Sequence, residues 1–377
     1  MTIVFISKTG RAMWARTFGV ILFLFATTSA YSQKTGSTYR YNAGFTYLKG
    51  LIVPQYAHGL HLTYGRPSGI EIFWNQRTIG KKEREKLFGY PQVGYSLTMI
   101  NTDMVETGKI FNAATYMDFY FLDAPDIKAY WRFGVGLTYA TKLYHPETNN
   151  LNNILSSRIS YHAIVRIGVQ IPVADQFYIN PAISWNHTSN GSLSLPNNGI
   201  NIATLNVGAA YRFGKSDWVE ESTPAPNNRR LGYNILVSGS VKETEPMGSP
   251  KRIYYTFRGY IDKTLSKVNR IYGGLELFNN HGLIDVIKSD PDVPNDTDFR
   301  RLGFFVGHEL MVSRVSFMTM VGHYVYRPYR GGIDDDPDIY TRHGVKVYLT
   351  EKIFAVAMMK IHAAQNDIFD FGVGIRL

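Results

Sequence analysis

The sequence predicts an all-β fold, an antiparallel transmembrane β-barrel of the outer-membrane type with about 14–16 strands, on three observations. Its segments alternate apolar and polar residues with period two, which gives each strand one apolar face and one polar or tiny-residue face. They run to about 11–15 residues, where soluble strands average five or six and tilted membrane strands need roughly 9–11. Short turns alternate with long polar loops, the pattern of an outer-membrane barrel.

Each element follows from that pattern. Between Lys128 and Lys142, Ala129, Trp131, Phe133, Val135, Leu137 and Tyr139 share one face, opposite Arg132, Gly134, Gly136 and Thr138. Ile159 to Val173 repeats the alternation, as do Asp175 to Ser189, Asn201 to Phe213 and Phe369 to the terminal Leu377. Turns such as Asp123-Ala124-Pro125-Asp126 and Leu265-Ser266-Lys267 are short, whereas Tyr144 to Leu155, Asn190 to Ile200, Asn279 to Arg300 and Pro328 to Asp338 are long and polar. A soluble sandwich would alternate too, but strand length and loop asymmetry favour the membrane. About eight segments follow residue 230 and eight or nine precede it; closed barrels have even counts, so the segment Tyr39 to Leu48 is expected not to span. The Pro-containing polar stretch 215–230 separates an N-terminal half, 31–214, from a C-terminal half, 231–377. One large barrel is the preferred reading, with two eight-stranded barrels as the alternative.

Composition narrows the function classes. The 377 residues include no Cys, which removes disulfide frameworks, thiolate zinc sites, thiol nucleophiles and a lipidated N-terminal Cys. With 45% hydrophobic and 14% aromatic residues, the chain is too apolar for disorder. Lys8, Arg11 and Arg16 precede the apolar run Phe18 to Phe25, and Thr28-Ser29-Ala30 supplies small residues for cleavage. Residues 1–30 therefore read as a signal peptide, and their loss takes the formal charge from +10 to +7. An exported, mildly basic barrel is expected to meet a membrane rather than nucleic acid. The basic cluster Lys81, Lys82, Arg84 and Lys86 reads as a solvated loop. The loop aspartates, Asp290 to Asp298 and Asp334 to Asp338, lack Ca²⁺-loop spacing, and no histidines show paired metal spacing. No metal, phosphate-loop or dinucleotide cofactor is expected.

The segment Asp175 to Ser189 carries the chemistry. Its odd positions, Phe177, Ile179, Pro181, Ile183, Trp185, His187 and Ser189, form the apolar, lipid-facing row. That row ends in an imidazole and a hydroxyl about 6.6 Å apart at Cα, near the outer rim. Asn201 opens the next strand on the same face. Polar residues facing lipid are costly, so either the apolar band ends at Trp185, an interfacial aromatic, or the pair is functional.

His187-Thr188-Ser189-Asn190-Gly191, followed by Pro196-Asn197-Asn198-Gly199-Ile200-Asn201, resembles the active-site signature of the lipid A 3-O-deacylase family, outer-membrane barrel serine esterases that act on lipopolysaccharide. A looser resemblance to acyloxyacyl hydrolase-like proteins extends from Gly134 to Phe213, including the Asn-rich loop Asn149 to Asn153; the C-terminal half shows no catalytic motif. The resemblance implies Ser189 as nucleophile, His187 as general base, and Asn201 where the family has an acidic residue. It also implies oxyanion donors among Asn190, Gly191, Ser192 and Asn197. An amide can orient an imidazole but brings no charge, so Glu147, in a loop at the same rim, is the candidate carboxylate donor. Trp185 and Ile183 would line the acyl groove. The implied activity is a carboxylic ester hydrolase acting on lipid A in the outer leaflet without cofactor. A non-catalytic barrel, either a channel or an inactive relative, and a phospholipase are the competing readings.

Overall fold

The computed structural model describes residues 37–54, 57–224, 231–244, 246–312, 314–330, 338–362 and 365–377. Residues 1–30, read above as a signal peptide, residues 225–230 of the polar stretch and the aspartates at 334–336 lie outside the described residues. The chain is all-β and forms two closed antiparallel barrels of eight strands each. The first contains β1 (Ser37–Val53), β2 (Ser68–Arg77), β3 (Gln92–Asn101), β4 (Lys109–Asp123), β5 (Lys128–Ala140), β6 (Ile159–Pro172), β7 (Phe177–Ser189) and β8 (Ile200–Asp217). The second contains β9 (Leu231–Lys242), β10 (Arg252–Thr264), β11 (Asn269–Asn280), β12 (Arg301–Met311), β13 (Val315–Tyr326), β14 (Ile339–Tyr348), β15 (Ile353–His362) and β16 (Gln365–Arg376).

The single large barrel is thus replaced by its alternative. The segment expected not to span, Tyr39 to Leu48, lies in the closing strand of the first barrel. That strand pairs with β2 and with β8, the latter from Ser37↔Asp217 to Val53↔Asn201. With β16 paired to β9, the second barrel closes as well, and neither sheet keeps a free edge. The alternation in β1 is blurred for a physical reason. Leu48 and Ile52 point inward and join an apolar cluster at the long-loop end with Leu62, Met104, Ile154 and Leu155 from the loops. Those loop side chains tuck into the barrel mouth and fix the loops that border β7.

The outward wall is apolar, and the lumen is filled with polar side chains, as expected of an eight-stranded barrel. Near the short-turn end, a belt of packed rings runs Tyr95, Trp74, Tyr41, Phe213, Tyr211 and Phe177, with centroids 5.1 to 6.2 Å apart. Such girdles sit at membrane–water interfaces. Inside the first barrel, Arg166 grips Glu71 bidentately at 2.9 and 2.8 Å, and Arg132 grips Asp118 at 2.7 and 3.0 Å. Arg166 also donates to Ser184, which accepts from Asn206 as well. The network therefore bridges the lumen from wall to wall. In the second barrel, Arg342 bridges Glu276 at 2.8 Å and Asp370 at 2.5 Å, and Arg258 contacts the same two carboxylates.

Removing one partner of such a pair leaves a buried charge uncompensated. Arg166→Met keeps the apolar stem and deletes the charge beside Glu71, so a loss of about 3–5 kcal/mol is expected. Urea titration of the purified barrel, followed by the heat-modifiable gel shift, measures it; an unchanged midpoint would show that Arg132 alone satisfies Glu71.

The connection between β2 and β3 carries a short helix, α1 (Glu83–Leu87), at the short-turn end. Residues after β8 pack on it: Val219 N–H donates to the Ile79 carbonyl at 2.9 Å, and Thr223 N–H to the Lys81 carbonyl at 2.9 Å. The cluster Lys81, Lys82, Arg84 and Lys86 therefore sits at the end opposite the β7–β8 loop.

Candidate active site

β7 places its odd residues outward. Phe177, Ile179 and Ile183 are exposed, and Trp185 and His187 above them are partly covered. β8 pairs with β7 so that His187 lies directly opposite Asn201 and Trp185 opposite Ala203. Across that pair, Asn201 Oδ1 lies 2.6 Å from His187 Nδ1. An amide oxygen only accepts, so Nδ1 carries the proton and Nε2 is left as the basic nitrogen. On the other side, Ser189 pairs with Tyr161 of β6. Alternation along β7 keeps its side chain on the imidazole's face, and Ser189 is buried at 6% exposure.

The covering element is the β7–β8 loop. Gly199, at φ +67°, sits so close that an added Cβ would lie 3.2 Å from His187 Cε1 and 3.2 Å from Ser189 Cβ. The imidazole edge and the serine methylene thus lie within twice that distance of each other. The sequence presents Gly199 only as part of the stretch Pro196 to Asn201 and of the turn dipeptide Asn198-Gly199, with no role of its own; the packing on His187 and Ser189 is visible only in the structure. Gly199→Ala is expected to lower turnover about 10- to 100-fold by displacing both groups by less than an ångström. Steady-state kinetics on the folded variant checks this, and wild-type turnover would show that the contact is slack.

Loop hydrogen bonds define which amides remain free to act. Asn190 N–H donates to Asn197 Oδ1 at 2.9 Å, and its side-chain amide donates to Ser156 Oγ, Ser157 Oγ and the Ser194 carbonyl. Asn190 is therefore a brace, with its donors spent. Gly191 and Ser192 follow in consecutive left-handed conformations, φ 63° and 65°, a costly geometry for the serine. Their backbone N–H groups have no acceptor among the described residues. Asn197 keeps its amide nitrogen, since its oxygen is occupied by Asn190.

The β5–β6 loop supports this arrangement from the side. Asn198 N–H donates to the Asn153 carbonyl at 3.3 Å, and Gly199 N–H to the Ile154 carbonyl at 3.2 Å. Asn149 and Asn152 in the same loop hold the Glu106 carbonyl at 2.9 and 3.0 Å, so the Asn-rich stretch is scaffolding. Glu147 is not brought to the imidazole. It is exposed, its backbone N–H donates to His145 Nδ1 at 3.3 Å, and Asn201 already occupies His187 Nδ1.

Taken together, the fold and this rim define an outer-membrane barrel with an imidazole, a hydroxyl and a side-chain amide on its outward wall. The chain belongs to the lipid A 3-O-deacylase and acyloxyacyl hydrolase-like family: the model for lipid A 3-O-deacylase (PagL) matches residues 68–210, and that for the acyloxyacyl hydrolase C-terminal domain matches 231–377. The second match covers the whole of the second barrel, where sequence reading found no motif. The protein is accordingly placed in the outer membrane, and its family supports hydrolysis of lipid A. No curated protein matches the sequence. Among solved structures, Neisserial surface protein A is 12% identical, covering 47% of this chain and 99% of its own, at TM-score 0.34. Ail, the attachment invasion locus protein of Yersinia pestis, is 13% identical over 48% of this chain and 100% of its own, at TM-score 0.29. Likenesses this shallow say nothing about function.

Proposed function

We propose that this protein removes one ester-linked acyl chain from lipid A through Ser189, His187 and Asn201 on the outward wall of the first barrel. The observation that carries the reading is the 2.6 Å contact from Asn201 Oδ1 to His187 Nδ1, which leaves Nε2 unprotonated on the face of Ser189. Ser189 Oγ attacks the ester carbonyl as its proton passes to His187 Nε2. The oxyanion is met by the free N–H groups of Gly191 and Ser192, with the Asn197 amide nitrogen beside them. The bond between the acyl carbon and the ester oxygen breaks and the imidazolium protonates the departing alkoxide; water, giving a proton to His187 Nε2, then attacks the acyl-serine, and that proton returns to Ser189 Oγ as the fatty acid leaves. The leaving chain descends β7 past Trp185 and Ile183, directly below His187. A catalytic pair on the outer wall reaches lipids moving laterally, so no passage through the lumen is needed. The wall-to-wall ion network there argues against a channel.

Mass spectrometry of lipid A from cells with and without the protein tests this reading. Loss of one acyl mass only when the protein is present is the expected result; identical spectra would favour an inactive relative, and fatty acid released from glycerophospholipids a phospholipase.

A further inference from the structure

A hollow lies on the same outward wall, away from β7. It has a volume of about 540 Å³ and is lined by Ile72, Leu97, Phe111, Leu137 and Ile159 around Ala113. The strand register explains both its shape and its position. Ser189 pairs with Tyr161, Tyr161 with Leu137, Leu137 with Ala113, Ala113 with Leu97 and Leu97 with Ile72. Nucleophile and hollow therefore share one ladder row, and the hollow exists because a methyl stands where its neighbours carry leucines. Ser189 ends β7, whereas Ala113 lies four residues below the start of β4, so the row descends from the rim into the hydrocarbon. Three interstrand spacings separate the two, about 14 Å around the wall. One chain running down β7 from Ser189 cannot fill it.

Cations stand above it. Lys109 is exposed at the head of the outward column that continues into Phe111 and Ala113. Arg158 is exposed next to Ile159, and its Nη1 donates to the Tyr139 hydroxyl at 3.1 Å. An apolar trough under two exposed cations, one headgroup's width from a hydrolytic site, fits an anionic lipid with more than one chain.

We infer that the Ala113 trough seats a second, retained acyl chain of the same lipid whose ester lies at Ser189, with Lys109 and Arg158 receiving a headgroup phosphate. The inference rests on the esterase reading above and names what that site selects: a phosphorylated, multiply acylated lipid over a single-chain ester. Lipid tails are as apolar as the wall, so selection here comes from shape and van der Waals packing.

The test compares turnover of purified lipid A with that of a single-chain p-nitrophenyl ester in the same detergent micelles. Ala113→Trp, which fills the trough, is expected to lower the lipid A to single-chain ratio about tenfold. Val207→Trp, on the outward wall of β8, should leave the ratio unchanged. The double variant Lys109→Gln, Arg158→Gln should slow phosphorylated lipid A several-fold relative to phosphatase-treated lipid A. An unchanged ratio in Ala113→Trp, or a phosphorylated to phosphatase-treated ratio that stays at the wild-type value in the double variant, overturns the second-chain site while leaving the esterase intact. If the wild type cleaves neither substrate, the esterase reading itself falls.

Discussion

Ser189→Ala is expected to cut lipid A deacylation by at least about 10³-fold while leaving the barrel folded. The change removes one oxygen from a side chain that is buried under Gly199, so it opens almost no space and breaks no ladder hydrogen bond. In the proposed mechanism it removes the atom that forms the acyl-enzyme, without which only binding and oxyanion stabilisation remain. His187→Gln should fall nearly as far, because an unactivated serine is a poor nucleophile at neutral pH. The double variant should be no worse than either single one, since the two groups act as one unit. Turnover on purified lipid A, with the heat-modifiable gel shift as the control for folding, measures all three. Residual activity of a tenth or more in folded Ser189→Ala would remove the serine from the mechanism.

How far the sequence reached depended on whether a feature was periodic or tertiary. The outward column of β7 was legible because alternation is local: once Phe177 and Ile179 face outward, so do His187 and Ser189. The pairing of Asn201 with His187 was legible for the same reason, through the alternation of β8. Strand β1 was misread because Leu48 and Ile52 are apolar on the inward face, where they serve a cluster built from distant loops. The preference for one barrel failed because closure depends on which strands meet, β1 with β8 and β16 with β9. Motif spacing could not separate Asn190, spent on Ser156 and Ser157, from Gly191 and Ser192, whose N–H groups are free. That distinction lives in contacts between two loops more than thirty residues apart.

Asn201 offers the sharpest test of how the site works. Asn201→Leu is expected to lower turnover about 10²- to 10⁴-fold, because nothing then holds the proton on Nδ1 or the ring in place. Asn201→Asp should act in the opposite direction. Aspartate has the length of asparagine, so its carboxylate reaches Nδ1 over the same 2.6 Å span from the same strand position. The tautomer is already correct with the amide, and the gain comes only from a charge facing the imidazolium as it forms. An increase in kcat of about tenfold is therefore expected, well short of the effect seen where an amide imposes the wrong tautomer. Parallel kcat measurements on folded wild type and both variants decide the matter. If Asn201→Leu keeps wild-type turnover, the amide is only a structural neighbour. If Asn201→Asp slows the enzyme as much as leucine does, the orienting role is wrong and the site depends on the neutrality of the amide.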